Sequence, residues 1–156
     1  LRNVCVLLFA GVVVVSSAMQ IAGSMKNPEI TSVQRERAAH LQNNGLTFGY
    51  ATFWNANVVT ELTDGDVEAV AVSIDANAQG QGVPHTSMWL EATADRRMER
   101  PDEPVFLMLT AQESGQLSDF LALSGAQKRW EQSGMTIYEI ESQRVFFETA
   151  QTMDAQ

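Results

Sequence analysis

Apolar residues run together at the start of the chain and alternate with polar ones afterwards, with the change near position 26. Between Arg2 and Lys26 lie 23 residues, NVCVLLFAGVVVVSSAMQIAGSM, with no Asp, Glu, Lys, Arg or His. As a helix this stretch would cover roughly 35 Å, enough for a hydrocarbon core of about 30 Å. After Lys26 the pattern predicts short elements. Thr31 and Gln34 fit a capping box opening a helix over TSVQRERAAHLQNNG, with Gln34, Ala38 and Leu41 on one face and Asn44-Gly45 as its stop. LTFGYA (46–51) reads as a strand, and Phe53, Ala56, Val59 and Thr60 fall at helical spacing within 52–65. In DVEAVAVSI (66–74), Val67, Ala69 and Ala71 would line one face and Val70, Val72 and Ile74 the other, as in a strand covered on both sides. Strand, helix and strand within about 30 residues make a βαβ unit, which implies parallel pairing.

The remainder follows the same rules. DANAQGQGVPH (75–85) reads as a polar loop, and SMWLEATADRRM as a short helix capped by Ser87 and ended by Pro101 and Pro104. VFLMLTA (105–111) has the continuous apolar run of a buried strand, and ESGQLSDFLALSG (113–125) reads as a helix. KRWEQ and MTIYEIE flank Ser133-Gly134 as a hairpin, and RVFFETA is taken as an additional edge strand. This order predicts an α/β fold: an N-terminal transmembrane helix (1–26), then a small three-layer α/β sandwich (27–156) with a mostly parallel sheet and an antiparallel edge hairpin.

Charge sharpens the division. Only two of the ten basic residues, Arg2 and Lys26, flank the apolar stretch; the other eight and all 19 acids follow it, leaving a balance of −11 beyond Lys26. Such a surface repels polyanions, which argues against a nucleic-acid partner. Arg96, Arg97 and Arg100 sit among acids and read as a solvated face. The single cysteine, Cys5, lies in the apolar stretch, so neither an internal disulfide nor a Cys-cluster metal site is expected. The first residues also resemble a signal-peptide core, with Ser16-Ser17-Ala18 as an acceptable cleavage site. Because the uncharged stretch runs seven residues past Ala18, a retained span is favoured, with a signal peptide as the alternative. The chain does not begin with Met, and is read as a processed chain or part of a longer reading frame.

Candidate chemistry is sparse. His40 and His85 have no carboxylate partner at ligand spacing, so no metal is expected, and nothing calls for a cofactor. Gly80-Gln81-Gly82 lacks the third glycine of a dinucleotide loop, and no serine lies in a Gly-x-Ser-x-Gly context. The densest constellation is GYATFWNANVVT (49–60). Tyr50, Trp54, Asn55 and Asn57 combine flat apolar faces with amides, the combination a sugar or peptide ligand would use, at a strand-to-helix turn where α/β sheets place ligands. Core packing of these aromatic residues is the competing reading.

On the same residues, HLQNNGLTFGYATFWNANVVTELTDGDVEAVAV, with Trp89, EPVFLMLTAQE and MTIYEIE, the chain resembles the C-terminal extracytoplasmic domain of bacterial multi-pass membrane proteins. These are glycosyltransferase-like proteins of the protein-mannosyltransferase-like class. The resemblance implies a polyprenyl-phosphate sugar as donor and acidic catalytic residues on an early extracytoplasmic loop that this chain does not contain. No catalytic residue carries over. It also implies the bacterial inner membrane as location, with residues 27–156 on the periplasmic side. Partners would then be membrane lipid and, through the missing part, a lipid-linked sugar and its acceptor. Residues 27–156 would be an accessory domain of that protein. The alternative is a single-pass or secreted periplasmic binding or interaction domain.

Overall fold

A computed structural model describes residues 28–86 and 100–155. The chain divides into two compact units, Leu1–Arg35 and Glu36–Gln156, and the boundary falls within the first described helix, α1 (Pro28–Asn43). The expected span at 1–26 and the expected helix at 87–98 lie outside the described residues. Among the described residues no helix is long and apolar enough to cross a membrane.

The second unit is an α/β domain built on one six-stranded sheet. Its strands are β1 (Phe48–Thr52), β2 (Glu68–Ala76), β3 (Gly82–Thr86), β4 (Val105–Thr110), β5 (Gln127–Gln132) and β6 (Met135–Ile140), in the spatial order β3-β2-β1-β4-β6-β5. β1 pairs in parallel with β2 and with β4; β2–β3, β4–β6 and β5–β6 are antiparallel. The sheet is therefore mixed, and the expectation of a mostly parallel sheet is corrected: antiparallel strands flank the parallel centre on both sides.

Three of the differences from the sequence reading have clear causes. Strand β3 occupies part of the expected polar loop. Pro84 pairs opposite Ile74, which is possible because β3 is an edge strand and a missing N–H can face its open side. RVFFETA is not an edge strand but the front of helix α5 (Gln143–Asp154). Ser142 Oγ accepts from Val145 N at 3.2 Å, and Gln143, Phe146, Ala150 and Met153 then bury one face at helical spacing. That spacing shows only when the terminal residues are read together with the β-rich VFF. Helix α1 also begins at Pro28, ahead of the expected Thr31; proline suits a first helical turn because its N–H would be unpaired there anyway.

The three layers follow from strand alternation. Phe48, Tyr50, Val70, Val72, Val105, Leu107 and Leu109 point to one face, covered by Phe120 of helix α4 (Ser118–Leu123) and by Phe146, Ala150 and Met153 of α5. Ala51, Ala71, Phe106, Met108 and Ile137 point to the other, covered by Leu41 of α1 and by Ala56 and Val59 of α2 (Phe53–Leu62). Gly49 is required at its position: a Cβ there would meet the Phe106 carbonyl oxygen and ring. The phenyl ring thus takes the place that a side chain on β1 would fill.

Candidate ligand-contact site at the carboxyl ends of the central strands

β1 and β4 lie side by side and run the same way, with Ala51 opposite Met108. The helices that follow them leave to opposite faces. α2 starts at Phe53 and packs with the Ala51–Met108 side, whereas α3 (Ala111–Gln116) and the adjoining α4 lead to Leu117 and Phe120 on the other. A crevice at such a divergence, beyond the carboxyl ends of adjacent parallel strands, is where open α/β sheets bind ligands.

One wall is the start of α2. Thr52 ends β1 in an extended conformation and gives the helix no side-chain cap; instead its Oγ1 accepts from Asn55 Nδ2 at 3.1 Å. Asn57 Nδ2 donates to the Phe53 carbonyl at 3.1 Å. Phe53 packs partly into the core, and Trp54 stands against it edge-on, ring centres 5.0 Å apart, while remaining 78% exposed. The opposite wall is the start of α3. Thr110 Oγ1 accepts from Glu113 N, and the Glu113 carboxylate accepts from Thr110 N at 2.7 Å, a reciprocal capping box. Ala111 N donates to the Gly134 carbonyl at 3.2 Å, which brings the β5–β6 turn to the same end of the sheet. The Ser114 hydroxyl oxygen is buried with no hydrogen-bond partner among the described residues.

The structure splits the predicted constellation. Tyr50 is 1% exposed, stacks on Phe146 at 4.0 Å, and accepts a hydrogen bond from Gln143 Nε2 at 3.1 Å. Its ring therefore belongs to the core, the competing reading. Asn55 and Asn57 each donate within their own turn, and Trp54 alone offers a large open apolar face. The Thr110-x-x-Glu113 wall went unread although its signal, a capping box directly after an apolar run, is present in the sequence.

Three other titratable side chains contact neighbours within the second unit. His40 Nε2 is buried without a hydrogen-bond partner among the described residues, and the ring tilts against Trp130 with centres 5.7 Å apart. Burial lowers the His40 pKa by penalising the imidazolium. His85 Nε2 lies 3.5 Å from Asp154 Oδ1, between β3 and the end of α5. Arg100 stands over the Phe48 ring at 5.4 Å and pairs with Glu103 at 3.7 Å. Gly80 and Gln81 belong to the β2–β3 turn, where Asn77 Oδ1 accepts from the backbone of Gln79 and Gln81, and Gly82 opens β3; a strand follows, not a helix. No cluster of three or more His, Cys, Asp or Glu able to hold a metal occurs among the described residues. No protein-family model, curated protein or solved structure matches the chain.

Proposed function

We propose that residues 36–156 form an accessory contact module of a membrane-attached, extracytoplasmic protein, and that Trp54 is its principal contact residue. The observation that carries this reading is Trp54 itself: a 78% exposed indole on the first turn of an ordered helix, at the divergence of β1 and β4. An exposed aromatic face flanked by amides suits a neutral polyhydroxyl ligand, because C–H faces stack on the ring while hydroxyls meet Asn55 and Asn57. Attachment to a membrane is supported by the uncharged stretch from Asn3 to Met25. The resemblance in the GYATFWNAN segment supports a larger polytopic glycosyltransferase-like protein that uses a lipid-linked sugar. Further apolar spans encoded upstream would support that larger protein, and a start codon just upstream would favour the single-pass alternative.

The test is binding of short neutral hexose oligomers by calorimetry, comparing the chain with Trp54→Ala. Loss of a stacking contact worth about 0.5–1.5 kcal/mol weakens binding by roughly two- to tenfold. Equal binding by the two proteins, or no binding by either, refutes Trp54 as a sugar contact.

A further inference from the structure

We infer that the module self-associates through β5, whose open side takes β5 of a second copy of this chain in twofold, antiparallel pairing. Such pairing is independent of the Trp54 contact and of membrane attachment.

The two edges of the sheet differ. β3 has five residues and carries Pro84, which withholds one N–H from any further pairing. β5 has six residues and no proline. Among the described residues it pairs only with β6, so a row of backbone N–H and C=O groups faces outward along its far side. Such a row is a template for another strand. The side chains decide which strand fits.

Across from β6, Lys128 pairs with Tyr138, Trp130 with Ile137 and Glu131 with Thr136; the register shifts between Lys128 and Trp130, which leaves Arg129 as the extra residue of a bulge. In a regular strand Lys128 and Glu131 would point to opposite faces. The bulge puts them on one face, the side of Leu107 and Leu109, where their charged groups meet at 2.7 Å while staying 52% and 60% exposed. Trp130 points the other way, toward His40. Twofold antiparallel pairing centred between Arg129 and Trp130 sets Lys128 of each copy opposite Glu131 of the other, and Gln127 opposite Gln132. The four charges then alternate in sign around one ring, at cross-strand distance. On the other face Arg129 of each copy lies opposite Trp130 of the other, a guanidinium-to-indole contact. In-register parallel pairing would set lysine against lysine and glutamate against glutamate, which is repulsive. A bulge and a lysine commonly keep sheet edges apart; here they leave one complementary partner, the same strand turned around.

The wider charge distribution favours the same edge. The chain beyond Lys26 has a balance of −11, yet the charges borne by β5 or touching it cancel. Lys128 faces Glu131, Arg129 holds Glu139 through hydrogen bonds at 3.0 and 3.1 Å, and Glu36 and Arg37 reach Gln132 and Ser133. Two acidic copies therefore repel each other least along this strand. Six paired residues make a small contact, so the association is a weak one and is followed over a range of concentrations.

The experiment is sedimentation equilibrium of the full chain in a mild detergent, with reductant present so that Cys5 does not cross-link copies. Lys128→Glu sets glutamate against glutamate at both crossings of the dimer, and Glu131→Lys sets lysine against lysine. Each alone should weaken self-association by about tenfold or more. Mixed in equal amounts the two variants are complementary, because the glutamates of one copy meet the lysines of the other, and 1:1 dimers should return at the original strength. The double variant Lys128→Glu, Glu131→Lys should associate as the unsubstituted chain does. Circular dichroism of each sample checks that these exposed positions leave the fold intact. Association that the single changes leave unaltered, or that the mixture and the double variant do not both recover, overturns the pairing. A monomer in every sample overturns it as well, and leaves the β5 edge to a strand from a different protein.

Discussion

Tyr50→Phe tests whether the most conspicuous residue of the GYATFWNAN segment supports the fold and not the contact surface. The substitution keeps the ring stacked on Phe146 and deletes the hydroxyl oxygen that accepts from Gln143 Nε2. Gln143 is fully buried, and its Oε1 already accepts from Arg100 N at 3.0 Å, so the amide has little freedom to turn toward another partner. Leaving a buried donor unmet costs about 1–3 kcal/mol. Tyr50→Ala removes the ring as well and should cost about 3–5 kcal/mol, the range of large aromatic truncations in a core. Trp54→Ala, which removes an open ring, should stay within about 0.5 kcal/mol. The assay is urea unfolding of the full chain in a mild detergent, followed by circular dichroism. With a slope of roughly 1–3 kcal/mol per molar, Tyr50→Phe lowers the midpoint by about 1 M. Adding Gln143→Leu to Tyr50→Phe should cost less than the sum of the two single changes, since the pair is then removed together. A neutral Tyr50→Phe combined with a costly Trp54→Ala would refute the assignment of the two rings.

Two further outcomes follow from packing and titration. Gly49→Ala should destabilise by about 1–3 kcal/mol or more, because its Cβ meets a backbone carbonyl that cannot swing away; Gly115→Ala, in an open helical position, should be neutral or stabilising by up to about 1 kcal/mol, and thermal melts of both variants decide. His40 has its pKa lowered by burial, so the unfolded chain binds the proton more readily than the folded one. The stability this contributes is present above about pH 6.5, the unfolded value, and is lost as pH falls from there through the lower folded value. His40→Gln should flatten that part of the melting-temperature profile, and parallel profiles for the two proteins would contradict it.

Where the fold was legible in the sequence, one period dominated over a whole element. The two faces expected for 66–74 are the two faces observed: Val67 and Ala71 pack on the α2 side, Val70 and Val72 on the α5 side. The β1–α2–β2 unit pairs in parallel as expected, and the Ser133-Gly134 hairpin forms where a turn was expected. Legibility failed where tertiary context sets the rule. Pro84 looks like a strand breaker until β3 is known to be an edge, and edge position is a property of the assembled sheet. In Arg144–Ala150, strand propensity and helical spacing compete; the Ser142 cap and burial of Phe146 and Met153 against the sheet decide for the helix, and neither burial can be read locally.

The candidate site was only half legible for a related reason. Tyr50 and Trp54 are four residues apart, and in either a continuous strand or a continuous helix they would share a face. They do not, because the backbone changes from strand to helix between them, at Thr52–Phe53. Tyr50 follows the period-2 rule inward with Phe48, while Phe53 and Ala56 set the helix face that goes inward and leave Trp54 outside. Composition therefore groups the two aromatics, whereas the change of period between them assigns one to the core and the other to the surface. The same change of period, at the end of a strand beside β4, puts the exposed indole at the carboxyl ends of the central parallel strands.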